Sequence, residues 1–115
     1  MIVGIGIDVC PVERFASAAE SERLLARLFT VAERDVSMNR MAGRFAAKEA
    51  LAKALGAPGG LSWHDAEVRK DDAGKPYFAC TGTVADRIAA LGIGTVHLSI
   101  THDAGIAAAV VVCEA

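Results

Sequence analysis

Aromatic residues are scarce in this chain. Phe, Trp and Tyr make up 5% of its 115 residues, with a single Trp and a single Tyr. Ala, Val, Ile and Leu must therefore fill any core, and a hydrophobic share of 53% supplies them. Cysteine is equally thin. Cys10, Cys80 and Cys113 are odd in number, widely spaced and without a CxxC pair. That argues against a disulfide framework or a cysteine zinc site, and for a reducing, cytoplasmic setting. An excess of positive charge is missing too. Twelve Lys and Arg against 14 Asp and Glu leave a net charge of −2, so nucleic acid is not an expected partner. No stretch approaches the ~18 uncharged apolar residues of a membrane span. The apolar opening, residues 1–9, carries Asp8 and has no basic flank, unlike a signal peptide. Membrane is not an expected partner either. What remains is the composition of one folded domain, residues 1–115.

The patterns that are present alternate between strand and helix. Residues 1–9 set Val3, Ile5, Ile7 and Val9 against Ile2, Gly4, Gly6 and Asp8, the two-residue period of a strand. Residues 12–28 read as helix in two short pieces, with Ser17 and Ser21 as breaks. Thr30-Val-Ala-Glu33 is a capping-box pattern that predicts a helix running to about Ser37. Residues 42–55 form the strongest helix, stopped by Gly56 with Pro58 beyond. Residues 63–70 and 76–80 predict strands around the turn Asp71–Lys75, and residues 83–91 a last helix. Strands at 95–101 and 106–113 flank a turn at 102–105. Helices mixed with local hairpins predict an α+β fold, its sheet mainly antiparallel with helices packed on it. Residues 106–113 are apolar throughout, which predicts a strand buried on both faces and hence a subunit interface.

Three sets of polar residues fit a plain globular domain poorly. On the helix 42–55, Arg44 and Lys48 stand four apart, where like charges repel, while Glu49 and Lys53 form a second group. The plain alternative is a set of surface pairs worth ~0.2–0.5 kcal/mol. A tolerated repelling pair instead invites an anion such as a phosphate. Asp8 ends an apolar strand whose Gly4 and Gly6 leave its side clear; it either marks the strand end or offers a carboxylate to a hard cation. His102 follows Ser99-Ile100-Thr101 at a strand end and is either a turn residue or a ligand contact. Ser99 lacks the GxSxG elbow, so a Ser-His-Asp hydrolase is not supported.

Together, GIGIDVCPVERF (4–15), RFAAKEALAKALG (44–56), DDAGKPYF (71–78) and HLSITHD (97–103) resemble the bacterial holo-[acyl-carrier-protein] synthase family, the small trimeric class of 4′-phosphopantetheinyl transferases. The resemblance covers nearly the whole chain, and its FxxKEAxxK pattern followed by SxTH is specific. It implies the 4′-phosphopantetheinyl transferase fold. The implied activity is transfer of the 4′-phosphopantetheine arm of coenzyme A to a serine of apo acyl carrier protein, releasing adenosine 3′,5′-bisphosphate. By matching position, Asp8 and Glu49 would bind Mg²⁺, and Lys53 would neutralise phosphate charge, the three forming the catalytic set. Arg44, His102 and Lys48 would contact the nucleotide end of coenzyme A, and Thr101 would be a further coenzyme A contact. Gly56 would admit backbone close to it, and Lys75 and Pro76 would lie near the adenine. Arg14, Arg23 and Arg27 would face the acidic carrier protein. The resemblance further implies a homotrimer with active sites between protomers. Either Glu49 or a metal-bound water would take the serine proton. A noncatalytic module holding a nucleotide in the same cleft would use similar residues, without transfer. The chain departs from the family pattern in a short segment between Ser37 and Ala42, in Ala52 where a serine is common, and in Phe45 for a tryptophan of the wider superfamily.

Overall fold

Gly4 and Gly6 decide how the chain begins to pack. They lie on the first strand, β1 (Ile2–Pro11), and face the long helix α3 (Met38–Ala54). A Cβ at Gly4 would collide with the carbonyl oxygen of Ala54, and one at Gly6 with that of Ala50. The helix answers with small residues: Ala46, Ala47, Ala50 and Ala54 are all buried. Strand and helix backbones therefore meet almost directly, and Asp8 is carried to the flank of α3.

A computed structural model of the chain covers residues 1–115. Two short helices, α1 (Val12–Ala18) and α2 (Glu22–Leu28), follow β1; the break falls at residues 19–21, with Ser21 capping α2 as expected, while Ser17 lies within α1 and breaks nothing. The capping-box segment yields only a 3₁₀ turn, Val31–Arg34, rather than a helix reaching Ser37. Ser37 instead caps α3, its hydroxyl accepting the Arg40 N–H. The helix thus starts four residues earlier than its alanine-rich stretch indicated, and the segment between Ser37 and Ala42 is its first turn. Its end is as expected. Ala57 N–H bonds to the Ala52 carbonyl and Gly56 N–H to that of Lys53, with Gly56 at φ +85°, a left-handed cap that suits glycine.

After a 3₁₀ turn at Trp63–Asp65, where strand was expected, β2 (Ala66–Lys70) and β3 (Pro76–Cys80) form a two-stranded hairpin. Helix α4 (Gly82–Ala90) leads to β4 (Thr95–Asp103) and β5 (Ile106–Glu114), which join β1 in a sheet of order β1-β5-β4. Every pairing is antiparallel. The fold is α+β, as expected. The last turn is two residues, Ala104 and Gly105, both at positive φ. His102 and Asp103 accordingly belong to β4, opposite Ala107 and Ile106, and not to the turn.

Register divides the three-stranded sheet into two faces. Gly6–Val111–Leu98, Asp8–Ala109–Ile100 and Cys10–Ala107–His102 lie toward α3. Ile5–Val112–His97, Ile7–Val110–Ser99 and Val9–Ala108–Thr101 lie on the other face, which no helix covers. There Ile5, Ile7 and Val9 are 57–62% exposed. Strand β5 is thus buried on one face and half-buried on the other, and the open apolar stripe belongs chiefly to β1.

The contact between β1 and α3 predicts that Gly6→Ala destabilises the chain by roughly 1–3 kcal/mol, the usual cost of overpacking. Gly59→Ala, at a position with no neighbour within 4 Å, should stay within about 0.5 kcal/mol of the parent. Urea melts at one protein concentration compare the two.

Candidate active site

Helix α3 carries the charged residues, and side chains advance about 100° per residue around it. Glu49 and Lys53 share one side, where β1 passes. Lys53 Nζ donates to the Ile7 carbonyl at 2.9 Å and to Asp8 Oδ1 at 3.2 Å. The lysine therefore reaches across to the strand rather than forming the helix-surface pair with Glu49. Asp8 and Glu49 line one cavity of about 340 Å³, whose other walls include Arg14, Phe15, Leu24 and Phe45. Burial and then the negative charge of Asp8 push the Glu49 carboxyl above the usual glutamate range, with Lys53 opposing them. Arg14 and Lys53 stand near the two carboxylates, so opposite charges are mixed around the cavity. The carboxylate oxygens of Asp8 and Glu49 are the donors in it that suit a hard cation.

A second cleft, of about 150 Å³, lies near the other end of α3. Arg40, Arg44, Lys70 and His102 line it together with Pro76 and Ile100, and no acidic side chain does. His102 reaches it because it is an α3-facing residue of β4. Its Nε2 donates to the Asn39 carbonyl at 2.9 Å, and Gly43 leaves room for the ring, since a Cβ there would overlap it. Arg44 Nη1 donates to the Glu33 carbonyl at 2.7 Å. Burial, partly offset by Glu33, and the neighbouring Arg40 draw the Arg44 guanidinium below the usual arginine value. A cleft with four basic groups and no counter-charge is suited to a phosphate. The two clefts share no residue. Arg44 and Glu49 are about 140° apart around the helix by the same ~100° step.

Of the residues expected to act together, Asp8, Glu49 and Lys53 meet, and so do Arg44, Pro76 and His102. Gly56 lies in a groove with Lys53 and Arg87. Lys75 is exposed in the β2–β3 turn, which is fixed by Asp71 Oδ1 accepting the N–H groups of Ala73 and Lys75. Arg14 stands at the carboxylate cavity, and Arg23 and Arg27 are exposed on α2. One expectation needs correction, and a second residue stands apart from the cleft. Lys48 does not reach the basic cleft: it is 2% exposed, and its Nζ donates to Glu33 Oε1 and to the Trp63 carbonyl, each at 2.8 Å. The anion that relieves its repulsion with Arg44 is a protein carboxylate. Thr101 lies on the open sheet face beside Val9 and Ala108, because neighbouring strand residues point oppositely; it cannot join His102 in one cleft of the same chain.

Sequence reasoning missed Arg40 and Lys70 as site residues. Arg40 was legible in principle, since Arg40, Arg44 and Lys48 continue a four-residue helical spacing once α3 is extended to Ser37. Lys70 had no sequence signal, because it enters the cleft only through the hairpin's position.

A carboxylate cavity and a separate basic cleft on one α+β scaffold are features suited to a group-transfer protein acting on phosphorylated substrates. Residues 4–110 match the 4′-phosphopantetheinyl transferase superfamily, and the chain belongs to it. Within that superfamily it is similar to the holo-[acyl-carrier-protein] synthase of Beutenbergia cavernae, 56% identical over 115 residues covering 99% of each chain. The crystal structure of the Neisseria meningitidis holo-[acyl-carrier-protein] synthase matches at TM-score 0.90 and 31% identity over 100% of both chains. The Helicobacter pylori synthase, crystallised in complex with coenzyme A, matches at TM-score 0.83 and 31% identity, over 96% of this chain and 99% of its own.

The raised Glu49 carboxyl has a pH signature. The folded state holds that proton more tightly than the unfolded chain, so stability falls as pH rises from the ordinary glutamate value through the raised one. In a chelating buffer, Glu49→Gln should lessen this fall, giving a Tm near neutrality at or above the parent's. Thermal melts between about pH 4 and about pH 7, bracketing the glutamate range, measure it.

Proposed function

We propose that this chain, as a single domain over residues 1–115, is a holo-[acyl-carrier-protein] synthase. It moves the 4′-phosphopantetheine group from coenzyme A to a serine hydroxyl of apo acyl carrier protein, giving holo carrier protein and adenosine 3′,5′-bisphosphate. The observation that carries the reading is the pair of complementary clefts, one with Asp8, Glu49 and Lys53, the other basic. Similarity to synthases over essentially the full chain, one of them crystallised with coenzyme A, supports it.

Attack on the pyrophosphate builds negative charge on the leaving oxygen, and positioning and electrostatic stabilisation carry most of such a reaction. Lys53 supplies a positive charge at the reacting centre, and its bond to Asp8 keeps that carboxylate turned toward Glu49's cavity. The residues fit Mg²⁺: Asp8 and Glu49 bring two hard oxygen donors from different elements, and their mutual repulsion is what a divalent ion relieves. When bound, the ion would supply charge neutralisation at the pyrophosphate oxygens. Arg40, Arg44, Lys70 and His102 would hold the phosphate of the nucleotide end, with Lys75 and Pro76 toward the adenine. Arg14, Arg23 and Arg27 form the basic approach for an acidic carrier protein.

One coenzyme A molecule must use both clefts, and they face apart on one chain. The reading therefore includes a homotrimer in which neighbouring protomers contribute one cleft each. The open stripe of Ile5, Ile7 and Val9 is the apolar surface that assembly would cover. Free Cys10, Cys80 and Cys113 suit a cytoplasmic enzyme.

Incubation with coenzyme A, Mg²⁺ and apo carrier protein should add one phosphopantetheine to the carrier by mass spectrometry. Chelation should abolish transfer. Arg14→Glu should weaken carrier use at least about tenfold, as loss of an interfacial charge contact does, while leaving coenzyme A affinity intact. Binding of coenzyme A without any mass gain would refute the enzymatic reading. A second test concerns assembly: Ile7→Asp should reduce the mass by light scattering from three chains to one and remove activity with it.

A further inference from the structure

Glu33 carries more hydrogen bonds than its local role requires. In a capping box its carboxylate would need only the Thr30 N–H, which Oε1 accepts at 3.0 Å. The same oxygen also accepts from Lys48 Nζ at 2.8 Å, and Oε2 accepts the Val68 N–H at 2.8 Å. The side chain is wholly buried, and so is that of Lys48. One carboxylate thus ties together the 3₁₀ turn Val31–Arg34, helix α3 and strand β2. Its own backbone carbonyl then receives the Arg44 guanidinium at 2.7 Å. Arg44 and Val68 both line the basic cleft, one on its α3 side and the other on its β2 side.

We infer that Glu33 is a positioning residue for the nucleotide end of the substrate: by fixing the turn that bears its carbonyl, it aims Arg44 into the basic cleft and holds the β2 wall opposite. The inference rests on the phosphate-binding reading of that cleft. Glu33 touches no substrate, and its action passes through Arg44 and β2. Chemistry makes the carboxylate hard to replace. Thr30 and Val68 donate to different oxygens, and both donations require an acceptor on each side. A glutamine presents an acceptor on one side and an NH₂ donor on the other, so one of the two anchors must be released.

A double-mutant cycle on binding of adenosine 3′,5′-bisphosphate, read by calorimetry, tests the inference. Glu33→Gln should weaken binding about tenfold or more, as expected when a hydrogen bond to a charged group is misaimed. In an Arg44→Ala background the same change should cost clearly less, about threefold at most, because only its effect through β2 remains. Glu33→Gln leaves Lys48 without its counter-charge and lowers stability. The further change Lys48→Met removes that buried charge and should restore Tm, yet binding should stay weak. If Glu33→Gln alone does not fold, the Glu33→Gln/Lys48→Met pair takes its place in the cycle.

Equal losses with and without Arg44, unchanged binding, or binding that recovers together with Tm would each overturn the inference and leave the proposed activity standing. Failure of the parent chain to bind the nucleotide would overturn both.

Discussion

The close approach of β1 to α3 is the contact on which the rest of the structure depends. Neither glycine on the strand can carry a side chain without meeting a helix carbonyl, and the helix side is alanine. The usual spacing between a strand and a helix, filled by branched side chains, is absent here. Polar groups on the two elements can therefore touch across backbones that nearly do. Lys53 spans from helix to strand with a single side chain, and Asp8 and Glu49 share one cavity. Alanine rather than leucine at this seam follows from the close approach itself, which leaves no room for a larger side chain.

Charges on α3 are sorted by what they meet. Glu49 and Lys53 face the strand and border open space, where two carboxylates are held in unfavourable proximity. Arg44 opens into a cleft of like charge. Lys48 lies between these sites in sequence but is buried, with two of its three donors taken by Glu33 and the Trp63 carbonyl. A buried ion pair contributes little net stability because desolvation offsets the attraction. Its value here is geometric: it fixes the orientation of the turn whose carbonyl holds Arg44. The basic cleft holds charges of one sign, whereas the buried pair beside it is charge-compensated.

The sheet faces divide labour in the same way. The α3 face holds His102 against Gly43 and completes the basic cleft. The opposite face leaves isoleucine and valine in water, which a soluble monomer avoids in contiguous patches. Thr101 belongs to that open face and has no route to its own chain's basic cleft.

Much of this was legible in the residues themselves. Alternation in residues 1–9, the alanine-rich helix ending at Gly56, and the two glycine-containing turns each carry a local physical signal, and each was realised. The conjunction of Asp8, Glu49 and Lys53 came from the family resemblance; spacing alone put Glu49 and Lys53 on one side of a helix and left Asp8 a separate feature of the strand. Local pattern could not distinguish a capping glutamate from a buried hub: the Thr30–Glu33 spacing is the same whether the carboxylate serves one N–H or three donors. It also could not separate Lys48 from Arg44, which share a helix face but differ in burial. Spacing along a helix or strand fixes the direction of a side chain; its partner is fixed only when distant segments close over it. Composition and periodicity determined most of the elements, and the motifs shared with a known family indicated the acidic site. Tertiary packing decided which lysine is buried, which side of the sheet is left open, and that Arg40 and Lys70 complete the basic cleft.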